Sequence, residues 1–123
     1  MQLTNAEEQV MMHLWMLKKA YLKNILEEFD DPKPAVTTVA TLLKRMIDKK
    51  FIGYHQHGSN REYYPLVKKT DYCANHLTGM IKNFFNDSTS QFASFFTAET
   101  DLSEEELFEL RKIIDQQLEK KKK

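Results

Sequence analysis

The chain has 123 residues, 41% of them hydrophobic and 29% charged, the size and balance of an ordinary globular protein and not of a collagen, a linker chain or a disordered tail. Only 3 Gly and 3 Pro occur, where average usage gives about 9 and 6, so backbone reversals are few and the chain is expected to be mainly α with a small β component. The lone Cys73 excludes an intrachain disulfide, no apolar run approaches a membrane span, and MQLTNAEEQV lacks the basic-then-apolar pattern of a signal peptide, so a cytoplasmic location without direct membrane binding is expected.

Thr4 with Glu7 three residues on forms a capping box, and Val10, Met11, Leu14 and Leu17 then recur at helical spacing, predicting a first helix that ends near Lys19. Leu22, Ile25, Leu26 and Phe29 predict a shorter second helix, stopped by the Asp30, Asp31, Pro32, Lys33, Pro34 loop. From Ala35 to Lys50 no Gly or Pro interrupts a third helix. At about 100° per residue, Val36, Val39, Ala40, Leu43, Met46 and Ile47 share its apolar side, opposite Thr37, Thr41, Lys44, Arg45 and Asp48, with Thr38 and Lys49 beside them.

The period then changes. Phe51 to His57 and Arg61 to Val67 are rich in aromatic and β-branched residues and flank Gly58, Ser59, Asn60, the pattern of a β-hairpin in which Pro65 belongs at a sheet edge or at a strand end. Three helices followed by a hairpin is the winged helix-turn-helix order, in which the third helix enters the major groove and the hairpin, or wing, lies along the backbone. Beyond Asp71, Cys73, Leu77, Met80, Ile81 and Phe84 form a stripe, Phe92, Phe95 and Phe96 a cluster, and a last helix opens on the capping pair Ser103 and Glu106 with Leu107, Leu110, Ile114 and Leu118 on one face. Residues 1–70 are thus read as a DNA-binding domain and 71–123 as a helical module whose apolar faces meet a second copy, with Leu77, Ile81, Phe84, Leu107, Leu110, Ile114 and Leu118 at the contact.

The formal net charge is zero, but residues 1–70 hold 11 Lys or Arg against 8 Asp or Glu, while 71–123 hold 7 against 10. Between Lys33 and Lys69 eight cations face only Asp48 and Glu62, a concentration suited to a phosphate backbone. Base edges need short donors and acceptors on an exposed helix face, which makes Thr37, Thr38 and Thr41 the base-reading candidates, with Lys44, Arg45 and the wing's Arg61 on phosphates. A winged-helix adaptor that binds only protein is the alternative, and it would need an apolar patch where Thr37, Thr41 and Arg45 stand. His55 and His57 project to one strand face but have no third ligand beside them, and no GxSxG, phosphate loop, HExxH or CxxC occurs, so neither a metal, a cofactor nor an enzyme is expected.

The run TVATLLKRM from Thr38 to Met46, then DKKFI, resembles the third helix of the penicillinase-repressor family, whose usual form is TVxTLLxRLxxKG. LTNAEEQVMMHLW from Leu3 to Trp15 is similar to the family's LTxAExxVMxxLW, YYPLV from Tyr63 to Val67 to its Y-x-PLV, and the likeness continues through DLSEEELFELRKII to Ile114. Lys50 departs from the pattern, since the family usually has Gly before the first wing strand. The resemblance implies a homodimeric repressor on a palindromic operator in front of resistance or stress genes. It also implies relief by a membrane-embedded metalloprotease sensor that cuts the repressor between its last two helices, near Phe95 and Phe96. Relatives cleaved in that way have Asn before Phe at this place, where this chain has Phe95 before Phe96. Copper-responsive members carry a C-terminal cysteine cluster, which this chain lacks.

Overall fold

In the computed structural model, which describes residues 2–122, the chain forms two compact units, Met1–Ala74 and Asn75–Lys123. Helix α1 (Asn5–Leu17) starts at the expected capping box: Glu7 N–H donates to Thr4 Oγ1 at 3.2 Å and Thr4 N–H to Glu7 Oε1 at 2.8 Å. The helix ends as the Lys18 N–H reaches the Leu14 carbonyl at 2.8 Å. A two-residue strand β1 (Ala20–Tyr21) follows, and helix α2 (Leu22–Glu27) is capped by the Asn24 side chain accepting Tyr21 N–H at 3.1 Å. Helix α3 (Val36–Asp48) leads into the hairpin strands β2 (Ile52–His57) and β3 (Asn60–Pro65).

The sheet is antiparallel in the order β1-β3-β2, with Tyr63 opposite both Ala20 and Tyr54. The hairpin alone is legible from the sequence; β1 turns β3 from an outer arm into the central strand. Pro65 is tolerated there because it is the last residue of β3, beyond the two positions that β1 pairs. Met11 and Leu14 of α1, Ile25 of α2, Leu43 and Met46 of α3 and Ile52 of β2 are fully buried together, so three helices and a sheet close one core.

The apolar face of α3 is narrower than its periodicity suggests. Val39, Leu43 and Met46 are buried and Leu42 and Ile47 half-buried, whereas Val36 is 56% exposed and Ala40 is exposed. The inward arc is centred on Val39 and Met46; Ala40 lies past its edge, and Val36 opens the helix in a turn that protrudes from the core.

Two local features tie α3 to its neighbours. Glu7 has no solvent exposure, and its Oε1 accepts the Lys49 ammonium at 2.6 Å while closing the capping box. Lys49 also donates to the Gln2 carbonyl at 3.2 Å, and Glu7 Oε2 is buried without a hydrogen-bond partner among the described residues. Burial pushes the Glu7 pKa up, but Lys49 and the Thr4 bonds outweigh it and hold the carboxyl below its ordinary 4.5. After α3, Lys50 N–H bonds the Ile47 carbonyl at 2.9 Å and Phe51 N–H the Met46 carbonyl at 3.0 Å, a Schellman ending with Lys50 at φ 66°. A lysine therefore makes the left-handed turn for which the resembling family uses Gly.

Helix α4 (Lys69–Phe84) begins in the first unit, where Tyr72 donates to Glu8 Oε2 at 2.7 Å and its ring lies 5.7 Å from Phe51 and 6.0 Å from Trp15. Burial and the Glu8 carboxylate push the Tyr72 pKa up to about 12. Trp15 Nε1 donates to the Val67 carbonyl at 2.8 Å, which ties the segment after β3 to α1. Helices α5 (Thr89–Glu99) and α6 (Glu104–Lys122) complete the chain, and α6 opens on the expected Ser103 and Glu106 box.

Glu7→Gln keeps an oxygen for the Thr4 amide but removes the charge, and should lower the unfolding free energy by about 1–3 kcal/mol at neutral pH. A lowered native pKa stabilises above the unfolded value and stops doing so as pH falls through the native one, so the gap between parent and variant should close below pH 4.5 in denaturant melts at stepped pH. Lys50→Gly relieves the left-handed residue and should raise stability by about 1 kcal/mol, read as a higher urea midpoint at unchanged slope.

Candidate nucleic-acid interface

The exposed side of α3 carries two parallel rows at i, i+4 spacing: Val36, Ala40, Lys44, and Thr37, Thr41, Arg45. All six residues are exposed. The Thr41 hydroxyl donates to the Thr37 carbonyl one turn back at 2.9 Å, so its proton is engaged while the residue stays exposed. Thr38 stands apart from these rows. It lines a cleft of about 580 Å³ between α1, α3 and the loop after α2, with His13, Phe29, Pro32 and Leu42 and the acids Glu28 and Asp30. Thr37 and Thr41 are thus brought together on one surface, and Thr38 is turned toward another.

In the wing, cross-strand pairing puts Ile52, Tyr54, Gln56, Arg61 and Tyr63 on one face and Gly53, His55, Glu62 and Tyr64 on the other. The Arg61 guanidinium lies 4.3 Å over the Tyr54 ring, which braces a long cation that stays exposed. Gln56 Nε2 donates to the Gly58 carbonyl at 2.9 Å, and Gly58 supplies the tip's positive φ of 63°. At Gly53 a Cβ would stand 2.9 Å from the Tyr64 ring, so the glycine is what lets Tyr64 cross the strand and stack on His55 at 4.8 Å. His57 is paired with Glu62 at 3.2 Å. Among the described residues no group of three His, Cys, Asp or Glu is placed to hold a metal ion.

The fold changes the charge count. Lys33 donates to the Glu27 and Phe29 carbonyls at 3.3 and 2.6 Å, capping α2, and Lys49 is paired with Glu7, so two of the eight cations between Lys33 and Lys69 serve the protein itself. Lys23, which lies outside that segment, is brought beside Arg61, Ser59 and Asn60 in a recess at the wing tip. Only the β1-to-β3 pairing, invisible in the linear sequence, places it there.

The second unit has a different character. None of α4, α5 and α6 has a buried residue, and every buried apolar side chain among the described residues lies between Leu3 and Tyr63. Phe84 is 78% exposed; Leu77, Leu107, Ile114 and Leu118 are exposed, and Ile81 and Leu110 are half-buried. Phe108 and Ile113, outside the expected set, are exposed as well. Phe95 and Phe96 lie inside α5 and not in the connection after it. Phe96 stacks on Phe92 at 6.0 Å, and Phe95 is 5.3 Å from Phe85. Asn86 and Asp87 make the turn between α4 and α5 with φ 52° and 60°.

Three helices, a three-stranded sheet with a hairpin wing, and an exposed polar third helix define a winged helix-turn-helix domain joined to a helical unit. The family model described as Penicillinase repressor matches residues 3–116, and the chain belongs to that family. It is 30% identical over 115 residues to the methicillin resistance regulatory protein MecI of Staphylococcus aureus (strain N315), covering 93% of this chain and 94% of that one. To the penicillinase repressor of Bacillus licheniformis it is 25% identical over 122 residues, covering 98% and 95%. A solved CopR repressor structure is 29% identical, spans 55% of this chain and all of its own, and superposes with a TM-score of 0.46. The protein is a transcriptional repressor of a family that regulates antibiotic resistance, and not an enzyme. Among the described residues no helix is long and apolar enough to cross a membrane.

Proposed function

We propose that this repressor binds a palindromic operator in duplex DNA as a homodimer in the cytoplasm, with α3 in the major groove and the wing along the adjacent backbone. The observation that carries the reading is the outward surface of α3, where the exposed Thr37 and Thr41 are followed by the cations Lys44 and Arg45 and no acid intervenes before Asp48. Thr37 and Thr41 read base edges, with Thr38 at the margin; Lys44, Arg45 and Arg61 bind phosphates, and Lys23 adds a further cation at the wing. The apolar positions Leu77, Ile81, Phe84, Leu107, Leu110, Ile114 and Leu118 of residues 71–123 form the contact between copies, and the lack of burial in these helices supports that assignment. Joining two weak wing domains raises their effective concentration on two half-sites, so severing the helical unit near Phe95 and Phe96 by a membrane-bound metalloprotease sensor would release the operator. Because both residues sit in a hydrogen-bonded helix, cleavage there requires α5 to open first.

Selection from a random duplex pool should return a palindrome whose half-sites are about one helical turn apart. On that operator Arg45→Ala should weaken binding to all sequences and flatten the dependence of log affinity on log salt by about one unit, the signature of one lost phosphate contact. Equal salt slopes for parent and variant would remove Arg45 from the phosphate set. Leu110→Asp combined with Ile114→Asp should give a monomer by sedimentation and lose operator affinity, whereas a dimer surviving both changes would place the contact elsewhere.

A further inference from the structure

Val36 and Ala40 are exposed at the start of α3. The residues of a recognition helix that reach base edges are those of its N-terminal turns, here Val36, Thr37, Ala40 and Thr41. All four end in methyl groups. Two have no polar side-chain atom, and the hydroxyl proton of a third is engaged by the Thr37 carbonyl. The surface offered to the groove floor is therefore mainly hydrocarbon, framed on its C-terminal side by Lys44 and Arg45.

In the major groove only one natural base presents a hydrocarbon group, the 5-methyl of thymine. Resting on the DNA-binding reading above, we infer that Val36 and Ala40 form a thymine-methyl contact, so that each operator half-site is selected for thymine at the steps beneath the start of α3. The two side chains stand one turn apart in one row, with centres about 6 Å from each other, and so address neighbouring base steps. A protein partner is the other conceivable occupant, but two small side chains framed by cations are far below the roughly 20 residues a side of a stable protein interface. Thr41 contributes in a second way: with its proton engaged, the oxygen is an acceptor, suited to the amino groups of adenine or cytosine and not to the O6 and N7 acceptors of guanine. The methyl contact then favours thymine over cytosine and the Thr41 acceptor disfavours guanine, without a single bidentate hydrogen bond.

The test uses the full-length protein and the operator selected above, with each thymine replaced in turn by 2′-deoxyuridine, which removes the methyl and leaves every hydrogen-bonding group. Burial of one methyl corresponds to about a fourfold change in affinity. At one or two positions per half-site, symmetric across the palindrome, the substitution should weaken binding by about that factor and leave the salt slope unchanged. Val36→Ser and Ala40→Ser should each bind the parent operator more weakly and abolish the uracil penalty at one of those positions. Tight operator binding with no uracil penalty anywhere would overturn the methyl contact and leave the DNA-binding reading standing, as would serine variants that keep the parent's penalties. Failure of the protein to bind any duplex would remove both. The uracil series alters only the DNA, so its outcome does not depend on whether a variant folds.

Discussion

Glu7 sits out of water where the first turn of α1 meets the last turn of α3, and one of its oxygens both closes the helix cap and accepts the Lys49 ammonium. Desolvating a carboxylate costs several kcal/mol unless its partner stays in place, so this contact penalises any sliding of α3 along α1. The residues that follow extend the constraint without a gap: Lys49 holds the ion pair, Lys50 makes the left-handed turn, Phe51 closes the Schellman bond and Ile52 opens the first wing strand. The exposed rows of α3 and the hairpin are positioned by four consecutive residues, and the geometry of the candidate interface follows from them.

Features that depend on neighbours in sequence were legible in advance. Both capping boxes, the hairpin, the stop after α2 and the stripes of the later helices need only residues a few positions apart, and each stands where its spacing places it. Features that depend on distant residues were hidden. Strand β1 is two residues long, too short for alternation to register, and exists because β3 lies beside it. The burial of Glu7 is set by a lysine 42 positions away. A helical wheel orders Val36 and Ala40 around an axis but carries no information on where the core beneath them ends.

The candidate site divides in the same way. Thr37, Thr41, Lys44 and Arg45 share a surface because helical geometry dictates it, whereas Thr38, one step further round, faces a cleft built by a loop. A charge count along the chain treats Lys33 and Lys49 like Arg61, yet the first two hold the protein together and the third is braced outward on an aromatic ring. Lys23 joins the wing from outside the basic segment. Tertiary structure thus redistributes charge that the sequence presents as one block.

Among the described residues the fully buried side chains all lie in the first unit, so in the proposed dimer the two halves of the chain respond differently to abundance. The wing domain closes its core with residues of one chain. In the proposed dimer, order in the second half follows mass action, and where pairing is weak each halving of the amount of chain lowers the paired species by about fourfold. On the dimer proposed above, a dividing cell that stopped making this protein would lose repression faster than it lost the protein, with no sensor involved.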